Sequence, residues 1–290
     1  MLSVLIPTYN YNAFLLVKEI YKQLILENLD FEIICLDDGS NSSLNKNNEE
    51  INTLSYCSFK SLKNNTGRSA IRNLLAKKAT YNWLLFLDAD VIPVKDNFIK
   101  NYMNCFKKEN AVFCGGLLYQ NKKENLSLLR YKYGKKHEEI SLEKRKKKPE
   151  KYFFTSNFLI KKEVFESVKF EEKLTKYGKE DLLFSLELKK NNIPINHLSN
   201  EVFHLGIEEN GLFVSKTKKA MENLVFLDDE QLIDASEMSL LNLVKIISNL
   251  KMTKLIAKLY PLSEKMSIRK SSVFYLNCLK VSYLCYLKIK

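Results

Sequence analysis

The run Leu84-Leu85-Phe86-Leu87, followed at once by Asp88-Ala89-Asp90, constrains this chain most. Consecutive large apolar residues need cover on both faces of a strand, which the interior of a layered α/β sheet supplies. Two carboxylates at the strand's end put negative charge where such a sheet opens into its ligand crevice. Two more segments are built alike. Phe31-Glu32-Ile33-Ile34-Cys35-Leu36 ends in Asp37-Asp38-Gly39-Ser40, and Leu2-Ser3-Val4-Leu5-Ile6 ends in Pro7-Thr8-Tyr9-Asn10. Alone, an Asp after a strand reads as a turn residue. Three polar tips delivered to one sheet edge, two of the acids one residue apart, call for a cation.

Between these strands the apolar residues recur at helical spacing. Phe14, Val17, Ile20, Tyr21, Leu24 and Ile25 predict a first helix, and Ala70, Ile71, Leu74 and Leu75 a second over Arg68 to Lys78, entered through the turn cluster Asn64-Asn65-Thr66-Gly67. A helix around Phe98 to Phe106 and a strand Ala111 to Cys114 follow. Such alternation implies a largely parallel sheet with flanking helices. From 120 to 155 the pattern dissolves into a polar stretch centred on Glu143-Lys144-Arg145-Lys146-Lys147-Lys148-Pro149, which reads as a solvated, mobile loop. A strand Phe153 to Ile160, a helix Leu182 to Lys190 preceded by Glu180-Asp181, a strand Glu201 to Leu205 carrying His204, and a helical C-terminal region complete the series.

At 290 residues and 46% hydrophobic, the chain buries a full core and is not a disordered tail. Its six cysteines show neither CxxC pairing nor metal spacing, and Cys35 and Cys114 sit inside strand-like runs. Thiols so placed suit a reducing compartment and predict a cytoplasmic protein. The N-terminus enters a core strand without a basic leader, and Val273 to Ile289 is interrupted by Asn277, Lys280 and Lys288, which makes it a poor membrane span.

Net charge is +12, unevenly placed: residues 1–118 hold 13 basic and 12 acidic residues, residues 237–290 hold 10 and 2. Solubility or compositional bias is the plain reading. Nucleic acid is disfavoured, because no helix-turn-helix, zinc or aromatic-basic signature accompanies the lysines. Leu240, Leu241, Leu243, Val244, Ile246, Ile247, Leu250, Leu255, Ile256 and Leu259 alternate with Lys245, Lys251, Lys254 and Lys258. That pattern fits peripheral contact with an anionic membrane, at the inner face of the plasma membrane, and equally a helical lid over the core.

Pro7-Thr8-Tyr9-Asn10, Asp37-Asp38-Gly39-Ser40, Asn65-x-Gly67-x-x-x-Ile71-Arg72-Asn73, Asp88-Ala89-Asp90, Glu180-Asp181 and His204 resemble, in order and at comparable spacing, the motifs of family-2 glycosyltransferases with the GT-A fold. The resemblance implies a GT-A, Rossmann-like catalytic domain over 1–210, with a nucleotide-sugar half (1–118) and an acceptor half (119–210). Residues 211–290 form a helical extension. It implies an inverting, metal-dependent hexosyl- or N-acetylhexosaminyl-transferase that moves a sugar from a nucleotide sugar to a glycan or lipid-linked saccharide, in bacterial surface polysaccharide or glycoconjugate synthesis.

Residue by residue, the resemblance places Pro7, Thr8, Tyr9, Asp38, Asn65, Arg72, Asp88 and Ala89 on the donor. Tyr9 stacks on the base, and Asp38 accepts the uracil N3–H, which points to UDP, although a thymidine nucleotide presents the same imide. Arg72 reaches phosphate or base, where the plainer reading is a helix-surface arginine. Asp88 takes the ribose side and Asp90 a divalent Mn²⁺ or Mg²⁺, hard cations suited to carboxylate and phosphate oxygens. His204 is a further metal ligand by resemblance, against the commoner structural histidine, and an imidazole favours Mn²⁺. Acids are at home in the first turn of any helix; the resemblance makes Asp181 the general base and Glu180 the acceptor-orienting residue. Lys179 departs from the usual residue before this pair and favours the ionised carboxylate. A nucleotidyltransferase and a non-catalytic sugar-binding relative are the alternatives.

Overall fold

The computed structural model describes residues 1–107, 112–234 and 238–290. In chain order these form β1 (Leu2–Thr8), α1 (Phe14–Leu26), β2 (Phe31–Asp37), α2 (Asn45–Asn48), β3 (Cys57–Ser61), α3 (Arg68–Lys78), β4 (Trp83–Leu87), β5 (Val91–Pro93), α4 (Phe98–Met103), β6 (Val112–Cys114) and β7 (Leu117–Leu118). Then come α5 (Leu129–His137), α6 (Leu142–Lys147), β8 (Asn157–Lys161), α7 (Lys162–Val168), α8 (Glu180–Lys190), β9 (Ile195–His197) and β10 (Val202–His204). The helices α9 (Asn210–Asp229), α10 (Ser239–Asn249), α11 (Thr253–Ala257), α12 (Tyr260–Lys270) and α13 (Val273–Leu287) close the chain. Ala111, expected to open a strand, lies outside the described residues.

The chain divides into two compact units, one of residues 1–120, 138–175 and 180–206, the other of 121–137, 176–179 and 207–290. In the first, seven strands pair in the order β3-β2-β1-β4-β8-β6-β9. β3, β2, β1 and β4 are parallel, and β8 runs antiparallel between β4 and β6. The sheet is therefore mostly parallel, and the C-terminal ends of β1, β2 and β4 share one edge.

Alternate side chains sort to opposite faces. Val4, Ile6, Ile33, Cys35, Leu85 and Leu87 pack with Val17, Ile20 and Leu24 of α1 and Phe98 and Tyr102 of α4. Leu5, Ile34, Leu36, Leu84 and Phe86 pack with Ile71 and Leu75 of α3, Phe165 of α7 and Phe184 of α8. Both faces are covered, which is why β4 is apolar throughout. A second sheet, β5-β10-β7, sets His204 opposite Val91 in an antiparallel pair.

The expected mobile loop over 120–155 is corrected. α5 and α6 lie within it, and Arg145, inside the basic run, is 1% exposed. Its guanidinium donates to the carbonyls of Cys114 (3.4 Å) and Leu198 (3.0 Å) and to Glu201 Oε1 (3.1 Å), and Nε donates to the Ile140 carbonyl (3.1 Å). A counted charge run marks solvent only if every member is solvated; an arginine fork satisfied on several sides can be buried. Gly116 makes room for it, since a Cβ there would lie 2.7 Å from Arg145 Cζ.

In the second unit α13 is the central helix, burying Leu276, Leu279 and Leu284, with α9, α11 and α12 packed against it. No helix among the described residues is long and apolar enough to cross a membrane. The cysteines form no disulfide among these residues.

Candidate functional site

The shared edge of β1, β2 and β4 gathers most of the expected site residues. Thr8 is in register with Asp37, and its carbonyl accepts the Asp38 N–H at 2.9 Å, so the first two tips are stitched together. Pro7 pairs with Leu36, and Tyr9 beyond it presents its ring to solvent, 58% exposed. Asp37 is buried and accepts from Ser40 N and Oγ, Asn45 Nδ2 and Ser61 Oγ at 2.6–3.0 Å. Burial raises its pKa, but those hydrogen bonds outweigh burial and hold the carboxyl below the usual carboxylate range.

Asp38 lies under the turn that opens α3. Its Oδ1 accepts from Thr66 N and Oγ1, both at 2.7 Å, and its Oδ2 from Gly67 N at 2.9 Å. Three of roughly four acceptor positions are thereby used, leaving about one lone pair for a ligand. The exposed Asn65 sits in the same turn, and Gly39 (φ +68°) lets it approach, because a Cβ there would fall 2.4 Å from the Asn64 carbonyl carbon.

Arg72 is not on the helix surface but buried beneath it. It is 2% exposed, with Nη2 donating to Asp88 Oδ1 at 2.6 Å and Nη1 to the Arg68 carbonyl at 3.1 Å. Nη1 also stands 3.9 Å from Glu180 Oε1, which Arg68 Nη1 approaches to 3.0 Å. Asp88 and Glu180 converge on its fork from two sides. Burial raises the pKa of Glu180, and the charges of Arg68 and then Arg72 bring it below the ordinary value.

Asp181, next along α8, is half-buried and accepts the Leu182 N–H at 2.8 Å. It sits in the first turn of the 11-residue helix α8. Lys179 adopts a left-handed backbone (φ +79°), costly for a residue with a side chain.

Asp90 follows the buried Ala89 (8% exposed), and its Oδ2 lies 3.6 Å from His204 Nε2. The Asp90 carbonyl accepts the Leu205 N–H at 2.8 Å, fixing β10 beside the acidic pair. Gly206 lies so close that a Cβ would stand 2.1 Å from Asp90 Oδ2. Tyr119 stacks on His204 (centroids 5.5 Å apart, planes at 22°) and holds Glu138 through its hydroxyl.

The structure therefore brings Asp88, Arg72 and Glu180 into one contact chain and Asp90 and His204 into another. Sequence reasoning missed Arg68, Gly206 and Tyr119. Arg68 had a signal, since it precedes Arg72 by one helical turn, and so did Gly206, two residues after His204. Nothing in the local pattern marked Tyr119.

The sequence matches the family described as glycosyl transferase family 2 over residues 3–169, more than half of the chain. The chain belongs to glycosyl transferase family 2. No curated protein matches the sequence. Among solved structures, Staphylococcus aureus TarS 1-349 aligns over 100% of this chain and 92% of its own at 16% identity, with a TM-score of 0.50. GalNAc-T7, solved with UDP, GalNAc and Mn²⁺, aligns over 70% of this chain and 43% of its own at 16% identity, with a TM-score of 0.54. At that identity the likeness is one of fold, and the fold is that of GT-A glycosyltransferases. The family-2 match covers β1 to α7, including Asp38, Asp88 and Asp90; Glu180, Asp181 and His204 lie beyond it.

Proposed function

We propose that the chain is an inverting, metal-dependent transferase that moves a hexosyl or N-acetylhexosaminyl group from a UDP-sugar to a hydroxyl of a glycan or lipid-linked saccharide. The observation that carries this reading is the contact chain Asp88–Arg72–Glu180, which ties the acidic end of β4 to the first turn of α8 where Asp181 sits. Donor and acceptor chemistry need carboxylates held at fixed separation, and one buried fork does that here.

In this reading Tyr9 stacks on the uracil, and the remaining acceptor position of Asp38 meets its imide N–H. Pro7, Thr8 and Asn65 line the base side, and Asp88 with Ala89 the ribose side. Asp181 takes the proton of the acceptor hydroxyl as that oxygen forms its bond to the anomeric carbon. The bond from that carbon to the diphosphate oxygen breaks, UDP leaves with the electron pair, and the sugar's configuration inverts. Glu180, fixed by Arg68 and Arg72, orients the acceptor.

Asp90 and His204 suit a divalent cation, because a carboxylate and an imidazole converge and Gly206 sets no side chain against Oδ2. No group of three or more protein ligands occurs among the described residues. Two protein ligands fit a cation that takes its other ligands from diphosphate and water. When bound, Mn²⁺ or Mg²⁺ neutralises charge developing on the departing diphosphate. GalNAc-T7, a neighbour in fold, carries both UDP and Mn²⁺, which supports the choice of nucleotide and metal.

Asp181→Asn tests the assignment. Turnover should fall by about 10² or more while UDP-sugar binding, read by calorimetry, stays close to wild type. Near-normal turnover removes Asp181 as the base.

A further inference from the structure

The second unit exposes a face that its own packing does not use. In α10, Leu241 and Val244 are buried, whereas Leu243, Ile246 and Leu250, spaced three and four residues apart, are 43–64% exposed. On a helix of 3.6 residues per turn these form a second apolar stripe on the side away from the buried one. The pattern repeats onward: Leu255, Leu259 and Leu262, spaced four and three apart, are 46–59% exposed, while Ala257 and Ser263 are buried. Met252, 40% exposed, stands between the two stripes.

Lysines edge both stripes. Lys245, Lys251, Lys254 and Lys258 are all exposed, and no acidic residue occurs from 238 to 263. The next acid, Glu264, is neutralised by Lys218 at 3.0 Å. Seven exposed large apolar side chains within twenty residues, with lysines the only charged residues between them, do not describe a solvated surface. Nor do they describe a self-association surface, since a second copy would bring lysine against lysine. A polyanion such as nucleic acid would leave the leucines in water. An anionic bilayer satisfies both groups: the leucines enter the acyl boundary, and the lysines extend along their stems to the headgroup phosphates.

We propose that the outward face of α10, α11 and α12 is a docking surface for an anionic lipid bilayer, with Leu243, Ile246, Leu250, Leu255, Leu259 and Leu262 as its inserting residues. The inference goes beyond the transfer chemistry and does not depend on the roles of Asp90 or Asp181.

The test uses the full chain in flotation with vesicles of phosphatidylglycerol mixed into phosphatidylcholine, against vesicles of phosphatidylcholine alone. At ~0.1 M salt the protein should float with the anionic vesicles at least about tenfold more strongly than with the zwitterionic ones, and ~1 M salt should weaken that binding. Lys254→Gln and Lys258→Gln should each lower the partition about fivefold. Leu255→Ser with Leu259→Ser should lower it about tenfold or more. All these side chains are exposed, and far-UV circular dichroism establishes that the variants remain folded. As an independent readout, Leu259→Trp should shift its emission to the blue and be quenched by brominated lipid, over a constant background from the buried Trp83. Equal partition into both vesicle types, binding indifferent to these substitutions, or a Trp emission unmoved by vesicles would overturn the proposal. So would concentration-dependent self-association that the leucine substitutions abolish without any flotation. Donor hydrolysis measured without vesicles is a separate readout, so failure here and failure of the transferase reading are distinguishable.

Discussion

Arg72 Nη2 lies 2.6 Å from Asp88 Oδ1, and Nη1 of the same guanidinium lies 3.9 Å from Glu180 Oε1. One buried cation from α3 thus stands between acids from two distant parts of the chain. Its planar fork reaches both at once, which the point charge of a lysine cannot do.

Removing that fork leaves Glu180 buried with only Arg68 nearby. Arg72→Gln should therefore destabilise the protein by about 3–5 kcal/mol, as breaking buried ion pairs does. Arg72→Lys should recover part of the stability and little of the activity. Urea unfolding and donor KM against kcat check both; a neutral Arg72→Gln would show that the contact chain is incidental.

Gly206→Ala is a probe of Asp90 that leaves every charged group in place. The added Cβ would fall 2.1 Å from Asp90 Oδ2, so the carboxylate has to move. On the metal role proposed for Asp90, this displacement should weaken the apparent metal affinity about 10–100-fold. Titration of activity with Mn²⁺ measures it, and an unchanged midpoint would remove Asp90 from the metal site.

His197 couples the buried Arg145 to pH. Its Nδ1 accepts from Arg145 Nη1 at 3.3 Å, and its Nε2 faces the Pro149 carbonyl at 3.0 Å, which defines the neutral ring with its proton on Nε2. Burial, and next to it the charge of Arg145, lowers its pKa below 6.5 against the opposing pull of the Pro149 carbonyl and Glu150. The unfolded chain therefore binds more protons between the two values. Stability should be complete above about 6.5 and decline as the pH falls through the folded-state pKa. His197→Gln should flatten that upper part of the acid decline in denaturation midpoints, leaving the lower part that Asp37 and Glu180, both depressed, contribute.

The parallel core was legible in the sequence because its signals are local. The strand β4 is a continuous apolar run and β1 and β2 are nearly so, broken only by Ser3 and Glu32 before their polar tips, and the helix Arg68 to Lys78 is bounded by its turn cluster and its apolar period. Burial of Arg145 was not legible, because its partners Cys114, Leu198 and Glu201 lie 31 to 56 residues away. The same holds for Arg72: the sequence marks it as a site residue, but only the fold reveals that its partners are acids of the protein itself. The strand expected from Phe153 begins instead at Asn157, since Phe153 packs into the core ahead of the ladder.

The central claim is that the edge of β1, β2 and β4 binds a UDP-sugar through a metal. The measurement that tests it most directly is release of free nucleotide from a panel of UDP-, dTDP- and GDP-sugars, each with Mn²⁺, Mg²⁺ or EDTA. The account predicts turnover of one UDP-sugar that requires the divalent cation and is lost in EDTA and in Asp90→Asn. Turnover of a GDP-sugar instead, or of any donor undiminished in EDTA, would contradict it.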